Sequence, residues 1–195
     1  MEQVDWVIGL DPGVTGGWSI TPYENGGVTE FGNFPLSQIE KINTRKAKNV
    51  NRKNPKRIER FYNLKPMAEL FNGIDGKAYA FIELVNSMPR EAAILAFKFG
   101  DCLGQLKGLM AGCGIPFEMV PPMSWQAEFN LRNLDKKDRK KHHIVRANEI
   151  LMEKGADRIT VHNDGEADSI LIGEYGRRIL EARSRQPNLG VVDDF

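Results

Sequence analysis

The chain has 195 residues, of which 41% are hydrophobic and 27% charged, a balance that suits one soluble α/β domain with a single core. The formal net charge of +1 gives no whole-molecule sign of a nucleic-acid partner. No apolar run approaches the roughly 18 residues that cross a membrane, and the N-terminus lacks the basic region of a signal peptide. The two cysteines form no CxxC pair, so neither a disulfide framework nor a zinc site is expected, and the cytoplasm is the expected compartment.

The first part of the chain predicts a three-stranded antiparallel meander. Val4–Leu10 is short, apolar and rich in β-branched residues, and it stops at an Asp-Pro-Gly turn. Gly16–Ile20 begins a returning strand. Tyr23–Gly27 is a hairpin turn, since Asn and Gly tolerate a positive φ. Val28–Phe34 then alternates as a third strand.

The next stretch is strongly basic and changes character within its length. Residues 41–60 hold nine basic side chains against Glu59 alone. The first half is rich in Asn and poor in apolar residues, which predicts a mobile basic loop over about 41–57. Helical spacing returns over 57–71, which predicts a helix that ends at Gly73–Gly76.

Two more strands and four helices complete the prediction. The strands are Ala78–Leu84 and Ile115–Val120, and the helices are 90–111, buried against the sheet, a short helix with Trp125 that Ser124 caps, 138–154 and 164–183. This order predicts an α/β fold, a mixed five-stranded sheet with three antiparallel meander strands, then parallel strands, and helices on both faces. Residues 1–183 form the single predicted domain, and 184–195 form a loose tail.

Two carboxylates stand at the ends of apolar strand segments, where a buried charge without a partner costs several kcal/mol. Asp11 closes the first strand, and Glu83 lies near the end of the fourth. If these strands are parallel neighbours, both side chains emerge at the same edge of the sheet. A divalent cation between them would offset the buried charge, so the pair predicts a metal site.

The last predicted helix supplies two further acids. Asp164 and Asp168 are four residues apart and share one helix face, with Asp164 expected at the N-cap. Four hard oxygen ligands suit Mg²⁺, with Mn²⁺ as a substitute, and two ions about 4 Å apart would serve phosphodiester cleavage. Each motif alone is ordinary, as a turn, a surface glutamate or a helix cap, but their joint order favours the metal site. Glu166 is expected at the solvated surface, and Glu174 at the surface or in a structural role.

The ordered set of motifs resembles the RuvC-type Holliday junction resolvases of the ribonuclease H-like superfamily, particularly the phage-type members. The resemblance covers about residues 4–180 and rests on IGLDPGVTGGWSI, AFIEL, AILAFKFGDCLGQLKGLM, VPPMSWQ and HNDGEADSILIGEYG. It implies four catalytic, metal-binding acids, here Asp11, Glu83, Asp164 and Asp168. In many members the last two acids are three residues apart. Three residues before Asp168 this chain has Gly165, and Asp164 is expected to take the role of the missing acid. The resemblance also implies a homodimer that nicks a four-way DNA junction in pairs and leaves 5′-phosphate ends, in recombination, repair or phage genome processing.

Two basic segments are predicted to contact DNA phosphates, because an acidic metal site repels DNA unless cations surround it. The predicted contacts are Arg45, Lys46, Lys48, Arg52 and Lys53 in the first segment, and Arg132, Lys136, Lys137, Arg139, Lys140 and Lys141 in the second. Such contacts position DNA without reading its sequence. His142, His143 and His162 are expected to be structural or exposed, and Trp125 to serve packing.

Three alternatives remain open at this point. The GLDPGVTGG stretch loosely fits an ATP-binding domain of the actin and sugar-kinase type, although the chain is short for that fold and its later acids would have no role. A non-catalytic DNA-binding module would not need all four acids. A nuclease for flaps, forks or RNA hybrids would use the same chemistry. No membrane partner and no small-molecule cofactor are expected.

Overall fold

A computed structural model describes residues 4–24, 29–42, 56–84, 93–135, 138–156 and 160–185. Its main sheet has five strands in the order β3-β2-β1-β6-β7, in which β1, β2 and β3 are antiparallel and β6 and β7 run parallel to β1. The strands are β1 (Trp6–Leu10), β2 (Gly17–Pro22), β3 (Glu30–Asn33), β6 (Ala78–Glu83) and β7 (Phe117–Val120). The predicted mixed sheet is therefore confirmed.

Helices cover both faces of this sheet. They are α1 (Leu64–Asn72), α2 (Ala93–Gly112), α3 (Pro122–Glu128), α4 (Arg139–Glu153) and α5 (Asp164–Arg185). Successive strand residues point to opposite faces, so Val7 joins a core built with α3, α4 and α5, whereas Ile8 and Leu10 join a core built with α1 and α2. No helix in the described ranges is long and apolar enough to span a membrane.

A second sheet replaces part of the predicted loop and helix. Strands β4 (Leu36–Ile42) and β5 (Lys56–Tyr62) pair antiparallel, and Ile42 lies opposite Lys56. The predicted helix over 57–71 is therefore wrong in its first half. A helix of that length would hold Pro66 in its interior, where proline removes a hydrogen bond; a start at Leu64 places it in the first turn. We call β4 and β5 the ribbon; residues 43–55, most of the predicted loop, lie outside the described residues.

Helix α2 is less buried than its composition predicts. Its C-terminal half buries Cys102, Leu106 and Met110, as expected for a helix packed on a sheet. Its N-terminal half instead exposes an apolar face, with Phe97 77% and Ile94 61% exposed, and with Leu95 and Phe99 also exposed. The prediction of a helix buried against the sheet is wrong for this half of the helix.

Two predicted helix caps are also wrong. Helix α3 begins after Pro121, and no side chain caps it, so Ser124 lies inside the helix. At α5 the capping side chain is that of Asn163, whose Oδ1 accepts the Glu166 N–H at 3.0 Å. Asp164 consequently occupies the first turn of α5, and its carboxylate is left for other partners. Helix α5 extends to Arg185, two residues into the predicted tail, and 186–195 lie outside the described residues.

Glu174 holds a buried ionic network on α5, away from the acids at its N-terminus. It is 4% exposed and accepts two hydrogen bonds from Arg177, at 2.9 and 3.0 Å, and one from Arg178 at 3.0 Å. The Lys154 ammonium lies 3.2 Å away and ties α4 to this point. The predicted alternative of a structural role fits this burial, and the surface alternative does not.

Candidate active site

The pairing of β1 with β6 brings the first two acids together. The two strands are parallel neighbours, with Leu10 opposite Ile82. Asp11 and Glu83 each follow this pair by one residue, so both side chains emerge at the carboxyl edge of the sheet, as predicted. Repulsion from Glu83 raises the pKa of Asp11, so the two carboxyl groups lie within electrostatic reach of each other.

Close packing of glycines brings α5 over the same edge. A Cβ on Gly9 would lie 2.0 Å from the Ser169 carbonyl oxygen, and a Cβ on Gly165 would lie 2.1 Å from the Thr15 carbonyl oxygen. Both distances are far below van der Waals contact, so only glycine permits this approach of helix and sheet. Gly165 is thus fixed by packing, and the first acid of the helix stands at position 164.

The electrostatics show that the four acids share one region. Burial raises the pKa of Asp11 well above its usual range, and repulsion from Glu83, Asp168 and Asp164 raises it further. Burial, followed by repulsion from Asp168, raises the pKa of Glu83 to about 7. Burial also raises the pKa of Asp168, with a contribution from Asp164. Carboxylates that repel one another in this way are stabilised by any cation that enters between them.

Three side chains outside the acidic set contact its members. The Trp125 indole N–H donates to Glu83 Oε1 at 3.1 Å, and His143 Nδ1 lies 2.6 Å from Asp168 Oδ1. The ammonium group of Lys140 forms an ion pair with Asp164. These contacts give Glu83, Asp168 and Asp164 one partner each.

His143 is a site residue that the sequence reasoning passed over. It is 3% exposed, whereas its neighbour His142 is exposed. A signal was present in the sequence, since His143 precedes Ala147 by four residues and so lies on the apolar face of α4. A histidine on such a face needs a polar partner, and here the partner is Asp168. Trp125 packs as predicted and also hydrogen-bonds to the site.

The residues fit a hard divalent cation by their chemistry, although they do not already enclose one. Among the described residues, no set of three or more His, Cys, Asp or Glu side chains is arranged to hold a metal ion. Asp164 pairs with Lys140 and Asp168 with His143, so two of the four acids have a nitrogen partner of their own. The backbone fixes the convergence of the four acids at this edge, whereas their side chains are free to reorient around an ion.

The predicted DNA contacts fall into three groups. Arg132, Arg139 and Lys141 are exposed near the start of α4. Lys140 lies beside Asp164, where its charge faces the acidic set. The remaining ones, Arg45, Lys46, Lys48, Arg52, Lys53, Lys136 and Lys137, lie outside the described residues.

Comparison with known proteins finds likeness in structure only. No family model and no curated protein matches the sequence. Thermus thermophilus RuvC superposes with a TM-score of 0.50 at 15% identity, over 93% of this chain and 96% of that one. The same protein in complex with a Holliday junction substrate gives 0.56 at 16% identity, over 92% and 96%. The chain has the RuvC fold. A Fowlpox virus resolvase solved with Holliday junction DNA gives 0.41 at 11% identity, over 89% and 99%.

The structural likeness confirms the fold that the resemblance implied. The RuvC fold spans nearly all of the chain, and the order of its five-stranded sheet agrees with the mixed sheet predicted from the sequence. At this level of identity the likeness shows the architecture alone and does not assign a role to any of the four acids.

Proposed function

We propose that the chain is a metal-dependent endonuclease that resolves four-way DNA junctions. The observation that carries this proposal is the convergence of Asp11, Glu83 and Asp168, from β1, β6 and α5, at one edge of a RuvC-type sheet. A fold that merely bound DNA would gain nothing from buried carboxylates that raise one another's pKa. Strongly perturbed carboxylates at a sheet edge are typical of a catalytic site.

Each acid would take part in holding two ions, Mg²⁺ or Mn²⁺. Asp11 and Glu83 would face the ions from the sheet, and Asp164 and Asp168 from the helix. When bound, the ions would activate the attacking water and stabilise the leaving 3′ oxygen, which yields a 5′-phosphate end. In the metal-free protein Lys140 neutralises the Asp164 carboxylate. A bound ion would take over that role, and Lys140 would then pair with a DNA phosphate instead.

The substrate would lie across the basic residues beside this edge. Arg139 and Lys141 are exposed at the start of α4, the helix that also carries Lys140, and Arg132 is exposed in the segment that precedes this helix. The ribbon and the basic residues between its strands would add a second contact to a duplex arm of the junction. Phosphate contacts of this kind position the branch point and weaken as salt rises.

A second copy of the chain would cover the apolar face of α2. A four-way junction is close to two-fold symmetric, and its resolution requires one nick in each of two opposing strands. A two-fold dimer presents two identical sites in that relation. The exposed residues Ile94, Leu95, Phe97 and Phe99 form a contiguous helical stretch that is costly to leave in water.

Cleavage of defined DNA substrates tests the function. We expect four-way junctions to be nicked in Mg²⁺ or Mn²⁺, and flaps, forks, duplexes and RNA hybrids to be cut much more slowly. Glu83→Gln and Asp168→Asn should bind junctions as the wild type does and fail to nick them. Glu166→Gln on the same helix is the matched control and should nick normally. Faster cutting of flaps, forks or hybrids would assign the chain to those substrates instead, and undiminished nicking by Glu83→Gln would contradict a catalytic site at this edge.

A further inference from the structure

Two N–H donors from outside the acidic set each occupy one oxygen of a site carboxylate. Trp125, on α3, donates to Oε1 of Glu83 on β6, and His143, on α4, contacts Oδ1 of Asp168 on α5. Neither contact involves the second oxygen of the carboxylate. Each acid is therefore held by one oxygen while the other is left to bind an ion.

The surroundings of His143 determine which way its hydrogen bond runs. An ionised Asp168 can only accept, so Nδ1 must carry the proton that it shares with Asp168. The other ring nitrogen, Nε2, is buried and has no hydrogen-bond partner among the described residues. The contact of Nδ1 with Asp168 is therefore the one hydrogen bond of the ring among the described residues, and it fixes the orientation of the ring toward Asp168.

The two donors also pack against each other. The His143 ring meets the Trp125 ring edge-on, with centroids 5.3 Å apart and planes at 72°. Trp125 is fully buried and His143 nearly so. A displacement of either ring therefore moves the other, and with it the carboxylate that the other ring holds.

We infer that Trp125 and His143 act as one coupled unit that positions Glu83 and Asp168 for metal binding. The inference rests on the proposed function, because it assigns the unit a role toward the ions of that site. Partners that orient ligands in this way commonly contribute about 10–100-fold to metal affinity. Both are positioning residues, since neither would touch the DNA or an ion.

The affinity for Mn²⁺, followed by the electron paramagnetic resonance of the free ion, tests the inference without DNA. The Asn amide nitrogen can occupy the place of Nδ1, and the longer Gln is closer to histidine in volume. We expect His143→Asn to bind Mn²⁺ nearly as the wild type does and His143→Gln to bind it about 10–100-fold more weakly. A purely structural role predicts the reverse order, because Gln fills the space better.

Removal of the other donor completes the test. Trp125→Phe keeps an aromatic ring and deletes the N–H, and we expect a similar loss of Mn²⁺ affinity. In the double variant with His143→Gln, the fold-loss of Mn²⁺ affinity should be smaller than the product of the two single fold-losses, because the two residues form one unit. His142→Asn and Trp6→Phe are matched controls: the first lies next in sequence but is exposed, and the second removes an indole hydrogen bond to Asp75. Melting in EDTA identifies any variant that fails to fold. If a His143 variant fails to fold, the Mn²⁺ affinity of Trp125→Phe, the milder change, decides whether the inference holds.

The outcomes separate this inference from the proposed function. Equal losses in His143→Asn and His143→Gln, unchanged affinity in Trp125→Phe, or independent losses in the double variant would overturn the coupled unit. A wild type that binds Mn²⁺ but leaves junctions intact would overturn the proposed function and still allow the affinities to be compared. A wild type that binds no Mn²⁺ would overturn both.

Discussion

The Tyr62 hydroxyl accepts the N–H of Gly13 at 2.7 Å and donates to the carbonyl of the same residue at 3.0 Å. Tyr62 ends strand β5 of the ribbon, and Gly13 follows Asp11 by two residues. Burial raises the pKa of Tyr62, so the hydroxyl keeps its proton and its donor role. The base of the ribbon is thereby tied to the loop that carries the first acid.

Tyr62→Phe should loosen this loop. The variant leaves the buried N–H of Gly13 without its partner, whereas the carbonyl still accepts from the N–H of Gly16, so we expect the free energy of unfolding to fall by about 1–3 kcal/mol. We also expect slower nicking at saturating DNA, because Asp11 is then less well positioned. Urea unfolding and single-turnover cleavage measure the two effects. Tyr79→Phe, which removes a hydrogen bond to Glu118, is the control for stability alone. Equal cleavage rates for both variants would show that the tie to Gly13 does not reach Asp11.

The acidic site should destabilise the metal-free protein at neutral pH. Burial raises the pKa of Glu83 to about 7 and that of Asp11 well above its usual range, whereas both groups in the unfolded chain titrate near about pH 4. The folded state thus binds these protons more tightly, and the free energy of unfolding falls as pH rises from about 4 to about 7.

Asp11→Asn should therefore melt at a higher temperature than the wild type in EDTA at neutral pH. The expected gain is on the order of 1–3 kcal/mol and should shrink as pH falls, because the folded wild type then binds protons at these carboxyls. Mn²⁺ should stabilise the wild type and not the variant. Asp101→Asn, an exposed change on α2, should leave the melting curve and the response to Mn²⁺ unaltered. A variant that is less stable than the wild type at neutral pH would show that repulsion at Asp11 does not destabilise the folded protein.

The network around Glu174 should show the opposite dependence on pH. Burial alone would raise the pKa of Glu174, but the hydrogen bonds of Arg177, the charge of Lys154 and the hydrogen bond of Arg178 lower it to about 2. The stabilisation is complete above about pH 4.5 and is lost as pH falls through about 2. Glu174→Gln should cost on the order of 3 kcal/mol at neutral pH, and the difference from the wild type should close in acid. Denaturation across this pH range measures it. Glu128→Gln, which breaks a more exposed pair with Arg178, should cost under about 1 kcal/mol, and an equal cost would refute the buried network.

The ribbon offers a clean test of its DNA contact. Because Ile42 lies opposite Lys56, residues 43–55 can be replaced by Asn-Gly, which closes a tight hairpin on these two strands. We expect weaker junction binding and a shallower dependence on salt, with nicking retained at saturating DNA. A full-length variant with glutamine at Arg45, Lys46, Lys48, Arg52 and Lys53 separates charge from length and should match the deletion. Unchanged affinity and salt slope in both variants would remove this segment from the substrate contact.

The exposed face of α2 should control assembly. Phe97→Asp is expected to convert a dimer to a monomer in analytical ultracentrifugation, because it places a charge in the apolar contact. On a plasmid with an extruded cruciform, the wild type should give linear product through paired nicks, whereas Phe97→Asp should leave singly nicked circles. Met152→Asp on α4 changes a side chain of similar exposure and should behave as the wild type. A wild type that sediments as a monomer with linear product would exclude this face as the basis of paired nicking.

Local sequence patterns were sufficient to predict the main sheet and to select the four acids near its edge. The apolar runs before Asp11 and Glu83 predict both strands, and the alternation of strands and helices predicts that the two ends meet. The i and i+4 relation of Asp164 and Asp168 likewise follows from helical geometry alone. These features depend on neighbours in sequence or on a general rule of topology.

Features that depend on contacts between distant segments could not be predicted in this way. The pairing of Ile42 with Lys56 spans the basic loop, so the ribbon carries no short-range signal, and the helical spacing of Ile58 and Phe61 was coincidental. The role of His143 requires knowledge that α4 packs beside Asp168. The exposure of Phe97 likewise depends on which residues of α2 pack on the core, which composition does not record.

The backbone contact at Gly165 ties the spacing of acids on α5 to the distance between helix and sheet. A chain with an acid at this position must hold the helix farther from the Thr15 carbonyl, so the two properties can change only together. Gly165→Asp would consequently move the helix away from the Thr15 carbonyl, so the added carboxylate would not simply become another ligand. Sequence patterns that demand one fixed interval between the last two acids will pass over chains built with this tighter packing, and relatives of that kind are better sought through paired glycines on the helix and the first hairpin.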